Sequence, residues 1–210
     1  ETAAPFDTPI DLDLFLDIAW TVGTPTCAVV LMASSIRFAS TVIASQPHAF
    51  RHDIVWIKST ATGFLNARHA PLRAHEFLIV FYRQCGAYCA ARSMEETGVP
   101  IARNSTHGRK HGVNYHACLS NTGNARAGAT DRFPSSVVCD HVVGNTAPNR
   151  VHAQQKPVDL MRRMIRRYCP EGGLVVDPCC GAGTTVIAAA IEGRDAIGWD
   201  VIDHWNRPRK

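Results

Sequence analysis

The residues best placed to do chemistry lie near one end of the sequence, in the stretch GGLVVDPCCGAGTTVIAAA at residues 172–190. Asp177 closes a predicted buried strand, Gly181 and Gly183 form a turn, and Thr184 and Thr185 open a predicted helix. Glycines let the backbone come close to a ligand, and the free N–H groups of a helix start can face a polar or anionic group. Asp200 ends the next predicted strand, 19 positions after Gly181. An acid at about that distance suits the two hydroxyls of a ribose. Together these residues describe a site for an adenosine-containing cofactor. A dinucleotide fingerprint asks for a third glycine where Val186 stands, and a phosphate-cradling P-loop asks for a lysine where Thr184 stands, so neither pattern fits.

Other reactive side chains are less organised. The sequence has eight cysteines. Cys179 and Cys180 are adjacent, which suits neither a disulfide framework nor zinc-ligand spacing. Cys85 and Cys89, with His75, His107 and His111, are the zinc alternative. The simpler reading is free, mostly buried thiols in a reducing cytoplasm, with no metal.

The elements that must position the turn are α/β in pattern. Thr8-Pro9 and IDLDLFLDIAW predict a capped helix with an apolar stripe at Leu12, Phe15, Leu16 and Ala19. CAVVLMAS (27–34) reads as a buried parallel strand, IRFASTVIAS as a helix, and HDIVWIK and EFLIVFYR as two more strands. From Cys85 to about Arg150 the pattern dissolves into Gly, Asn, Ser, Thr, His and Arg. Order returns at KPVDLMRRMIRRYCPEGG, a predicted helix with Val158, Met161, Met164, Ile165 and Tyr168 as its buried face and Arg162, Arg163, Arg166 and Arg167 on the rest. Strand LVVDP, turn CCGAG, helix TTVIAAAIEG and strand DAIGWDV follow.

The 210 residues are enough for one well-filled domain. No apolar run reaches the roughly 18 residues that span a membrane. The net charge of +4 is uneven: residues 84–170 carry 12 basic and 5 acidic side chains, and the flanking parts are slightly acidic. Nucleic acid is a natural partner for such a segment, and a solvated basic surface is the plainer alternative.

DPCCGAGTT resembles the S-adenosylmethionine-binding motif D-P-F-x-G-S-G-T-T of the β-class DNA amino-methyltransferases, prokaryotic and phage enzymes that methylate the exocyclic amine of adenine or cytosine. HAQQKP (His152–Pro157) is similar to the family's H-P-T-Q-K-P, and AIGWD is similar to its I-G-I-E. FRHDIVWIKSTATGFLNARHAPLRAHEFLIVF resembles a W-x-K segment followed by R-x-H-E and a strand, and DRFPSSVV resembles Y-P-R-S-V. The pieces stand in the family's order and cover most of the chain outside the polar middle.

The resemblance implies a single Rossmann-like, S-adenosylmethionine-dependent methyltransferase domain over residues 1–210, cytoplasmic and of the kind used in restriction-modification. Residues 84–150 would be an irregular basic insertion that helps recognise double-stranded DNA. Asp177, Cys179, Gly181, Gly183, Thr184 and Thr185 would line the methionine and sulfonium end of the cofactor pocket. Gln155 and Lys156 would close it, and Asp200 would take the ribose hydroxyls. Arg68, Arg73, Arg109 and Lys110 would face DNA. Nothing indicates an oligomer. The departures are Cys179-Cys180 for Phe-x, Ala182 for Ser, Ala153-Gln154 for Pro-Thr and Asp200 for Glu. Trp56, Lys58, His75 and Glu76 read as structural: a half-buried aromatic, a solvated lysine and a polar pair at a strand start.

The family's D/N/S-P-P-Y/F/W tetrad, which accepts hydrogen bonds from the target amine and stacks on the flipped base, occurs nowhere in the 210 residues. The expectation is a chain incomplete at its N-terminus, whose tetrad-bearing strand belongs between the glycine-turn strand and CAVVLMAS. The alternatives are a catalytically dead DNA- or cofactor-binding protein and a small zinc module.

Overall fold

The structure, a computed structural model, describes residues 10–84, 87–89, 95–96, 130–144, 150–152 and 154–201. Helix α1 (Leu12–Val22) starts where the Asp11 carboxylate accepts from the Leu14 N–H at 3.0 Å. Strand β1 (Ala28–Ala33) leads into α2 (Ile36–Ser45), capped by the Ser35 hydroxyl accepting from the Phe38 N–H. Strand β2 (Phe50–Thr62) and β3 (Arg73–Tyr82) follow, separated by a short 3-10 turn at Phe64–Asn66. Next come β4 (Glu95–Glu96), β5 (Asp131–Arg132), β6 (Val137–Asp140), α3 (Val158–Tyr168), β7 (Leu174–Asp177), α4 (Thr184–Ile191) and β8 (Asp195–Gly198).

The larger sheet has the order β1-β3-β2-β6. β3 runs antiparallel to both β1 and β2, and β6 runs parallel to β2. β1 was expected as a parallel strand; among the described residues its only strand partner is antiparallel β3. Its apolar run reports burial on both faces, which an antiparallel strand sandwiched between helices satisfies equally well. The predicted structureless middle also needs correction, because Val137–Asp140 within it extends the sheet. Four residues are too few to show a period.

Both faces of this sheet are covered. Leu16 and Trp20 of α1 and Ala39 and Val42 of α2 pack with Ile79 and Phe81 on one face. Leu160, Met164 and Tyr168 of α3 pack with Ile54, Trp56, Leu78, Val80 and Val138 on the other. β7 and β8 form a separate parallel pair joined through α4. α3 serves this unit as well, since Ile165 packs against Ala188 and Ala189 of α4.

That double duty widens the buried face of α3 beyond its predicted stripe. Leu160 and Arg167 are buried, whereas Val158 and Met161 are half-buried. Arg167 was expected on the polar side and is 2% exposed. The other arginines of the helix do meet carboxylates: Arg162 and Arg166 reach Glu192 at 2.7 and 3.0 Å, and Arg163 reaches Asp140 at 3.3 Å. Among the described residues neither β1 nor β7 has a second strand partner, and no helix is long and apolar enough to cross a membrane.

Candidate functional site

The glycine turn follows the C-terminal end of β7, where open α/β sheets bind their ligands. Gly181 and Gly183 have φ of 47° and 70°, a region that L side chains rarely adopt. Their conformation folds the turn's amides inward. The Asp177 carboxylate accepts from the Cys179 N–H at 3.0 Å, and Asp200 accepts from the Gly181 N–H at 2.8 Å. The Cys180 and Gly183 N–H groups donate to the Trp199 and Cys180 carbonyls. The sequence offered the N–H groups of the helix start, not these amides, to a polar or anionic group. In the structure the turn bonds itself and two carboxylates, which makes it a poor phosphate cradle and a good neighbour for hydroxyls or a cation.

β8 is held against this turn by the Trp199 N–H donating to the Asp177 carbonyl. Gly198 permits the approach: a Cβ there would lie 2.7 Å from Val186 Cγ2 and 3.0 Å from Cys180 Cβ. Thr184 is buried and Thr185 half-buried at the start of α4. Cys179 is exposed and Cys180 buried. Desolvation, then the Asp177 and Asp200 carboxylates, push both thiols above the ordinary thiol range.

Of the segment before α3, His152 lies against the turn. A Cβ built on Gly181 would stand 3.6 Å from the His152 ring. The Gln155 side chain accepts from the Val151 N–H, and its backbone N–H donates to the His152 carbonyl. Lys156 points the other way, to Glu76 at the start of β3, at 2.8 Å.

Glu76 also meets Lys58 at 3.3 Å, and Lys58 donates to the Thr62 hydroxyl. Trp56 is 2% exposed, donates through Nε1 to the Asp140 carbonyl and lies beneath the Lys156 ammonium, 5.6 Å from ring centre to nitrogen. The expectation of a half-buried tryptophan and a solvated lysine is therefore corrected: both are buried, in one charged and aromatic cluster. β-Register explains it, because Trp56 pairs directly with Glu76 and Lys58 follows two residues later on the same face. His75 points to Phe77 in an edge-on ring contact.

Two of the four residues expected to face DNA are described. Arg68 is exposed in the β2–β3 connection. Arg73 is exposed and donates to the Ser34 hydroxyl at 3.3 Å, in a shallow cleft of about 330 Å³ shared with Ser35, Arg37, Phe38 and Thr41. Arg109 and Lys110 lie outside the described residues, as do Cys85, His107 and His111. Among the described residues no group of three or more His, Cys, Asp or Glu could hold a metal ion.

A sequence profile described as DNA methylase matches residues 22–205. The type II methyltransferase M.MthZI of Methanothermobacter thermautotrophicus is 46% identical over 55 residues, which is 26% of this chain and 15% of that protein. The chain thus spans far less than two thirds of this relative. Among solved structures, the M1.HpyAVI–SAM complex superposes with a TM-score of 0.60 at 16% identity, covering 94% of this chain and 81% of that one. PvuII DNA methyltransferase (cytosine-N4-specific) gives a TM-score of 0.60 at 15% identity, covering 91% and 66%. These likenesses show a shared fold.

Proposed function

The chain belongs to the N6/N4 DNA methylase family, and from that premise we propose that it serves methyl transfer from S-adenosylmethionine to the exocyclic amine of adenine or cytosine in double-stranded DNA. The observation that carries this reading is a convergence. His152 and Asp200, which lie well before and well after it in the sequence, both come to border the glycine turn that Asp177 begins.

The residues fit the group. When bound, the cofactor supplies an electrophilic methyl on a sulfonium. Asp177 and Asp200 give the turn a negative field, which favours that cation and the hydroxyls of a ribose. Gly181 and Gly183 keep side chains out of the approach. Thr184 and Thr185 complete the wall, and Gln155 closes it from the segment before α3, which Lys156 anchors on Glu76. Cys179 and Cys180 stay neutral thiols in that field and so are weak competitors for a methyl group.

The target amine needs hydrogen-bond acceptors and an aromatic platform. We assign those to a D-P-P-Y-like segment outside these 210 residues, added as a strand at the edges of β1 and β7 that pair with no other strand among the described residues. Residues 84–150, with Arg68, Arg73, Arg109 and Lys110, are the proposed DNA-facing part.

Calorimetry with S-adenosylmethionine, and labelled methyl transfer to duplex DNA, test this directly. The chain alone is expected to bind the cofactor and transfer nothing, and to gain transfer when a tetrad-bearing segment is joined to it. Absence of cofactor binding would sink the whole reading; transfer by the chain alone would sink the external segment. The missing tetrad also favours a second reading, a DNA- or cofactor-binding protein without activity. That one survives only if the joined segment restores nothing.

A further inference from the structure

We propose that Glu76 is a positioning residue for the cofactor pocket, acting through Lys156. The proposal rests on reading the glycine turn and residues 155–156 as an S-adenosylmethionine site.

Glu76 uses both carboxylate oxygens. Oε1 is 3.3 Å from Lys58 Nζ and Oε2 is 2.8 Å from Lys156 Nζ. Its side chain is 12% exposed, that of Lys58 3% and that of Lys156 26%. A carboxylate so enclosed between two ammonium groups makes charge-assisted bonds that water competes with poorly. The Trp56 ring under the Lys156 ammonium restricts it further.

The consequence runs along the chain. Val151 and His152 are both hydrogen-bonded to Gln155, closing a turn ahead of α3. One end of this turn is Lys156, anchored on β3 eighty positions away. The other end is His152, resting on Gly181. β7 and β8 share no strand pairing with the larger sheet among the described residues. Glu76–Lys156 is therefore a polar tie between the larger sheet and the segment lying on the glycine turn. Where that tie is cut, the segment loses its reference to the sheet and the pocket wall loses its setting.

Glu76 also neutralises Lys58, so a simple structural role must be separated from a positioning role. Lys156→Met leaves the Glu76–Lys58 pair intact. Binding of S-adenosylmethionine is measured by calorimetry, and melting by circular dichroism, for the wild type, Lys156→Met, Lys156→Arg, Glu76→Gln and the Glu76→Gln/Lys156→Met double variant.

Losing one charge-assisted bond corresponds to about a tenfold weaker affinity. That loss is expected for Lys156→Met with little change in melting temperature, and Lys156→Arg should restore most of it. Glu76→Gln should weaken binding to a similar degree and lower the melting temperature as well. In the Lys156→Met background it should weaken binding no further. Equal added losses in both backgrounds, or unchanged affinity in Lys156→Met, overturn the role. If Glu76→Gln fails to fold, the Lys156 pair of variants still decides the matter. A wild-type chain that binds no cofactor overturns the pocket reading and this role together, whereas normal wild-type binding with unaffected variants overturns the role alone.

Discussion

At the scale of single residues, the turn after β7 rests on two kinds of constraint, space and charge. Gly198 is the spatial one. An added Cβ meets Val186 and Cys180 below ordinary contact distance, and both belong to elements that cannot move without disturbing the turn. Gly198→Ala is expected to cost about 1–3 kcal/mol by urea unfolding. Gly144→Ala, where a Cβ meets nothing within 4 Å, should be close to neutral. The charge constraint is visible in the thiols. Cys179 and Cys180 are raised above the ordinary value of 9.0 by desolvation and by Asp177 and Asp200. A raised thiol holds less thiolate at a given pH, so alkylation of Cys179 by iodoacetamide should be slower at pH 7 than that of an unperturbed thiol, and its acceleration with rising pH should level off later. Asp177→Asn should bring that acceleration to lower pH. A Cys179 as reactive at pH 7 as a free thiol would contradict this account. The turn itself was legible in the sequence because its glycines, aspartate and threonines are contiguous. The bonds inside it were not, because they depend on Asp200 and Trp199 folding back across β8.

At the scale of elements, α3 joins two packing units. Its arginines were read as one polar face, yet Arg167 is enclosed and its carbonyl accepts from the Cys89 N–H. Helical periodicity separates apolar from polar positions; it does not reveal that a second unit, α4, packs against part of the same helix. The Trp56–Lys58–Glu76 cluster was hidden for a related reason. Its members are close only through β2–β3 register, and a lysine two residues from a tryptophan looks like surface in a linear reading. At the lower end of α3, His52 Nε2 and the Tyr168 hydroxyl lie 2.7 Å apart. Burial is the main cause that lowers the His52 pKa, with Asp53 opposing it and Arg167 adding to it. The unfolded chain then binds more protons than the native one below about pH 6.5. Stability is expected to be full above that pH and to decline as pH falls through it. Urea midpoints between pH 8 and pH 5 should show a shallower decline for His52→Gln than for the wild type.

At the scale of the whole molecule, the α/β class and the order of the main strands were readable from apolar runs. The separation of β7 and β8 from the larger sheet was not, since strand pairing leaves no local trace. Apolar side chains stay exposed on several elements. Leu14, Ile18 and Val22 of α1 are 58%, 54% and 75% exposed, and Leu174, Val176 and Ile197 of β7 and β8 are about as open. Exposed apolar stripes favour self-association. Ile18→Lys is expected to reduce light scattering at high concentration while changing stability by no more than about 0.5 kcal/mol. A large loss of stability would show that Ile18 is covered.

The sharing of α3 has one more consequence. A helix that is core to two sheets transmits the opening of either one, so its amides cannot outlast the weaker partner. Hydrogen exchange along Leu160–Tyr168 would then work as a strain gauge for the entire molecule. Any ligand that steadies the glycine turn should slow exchange at Met164 as well as at Ile165, although these two neighbours face different sheets.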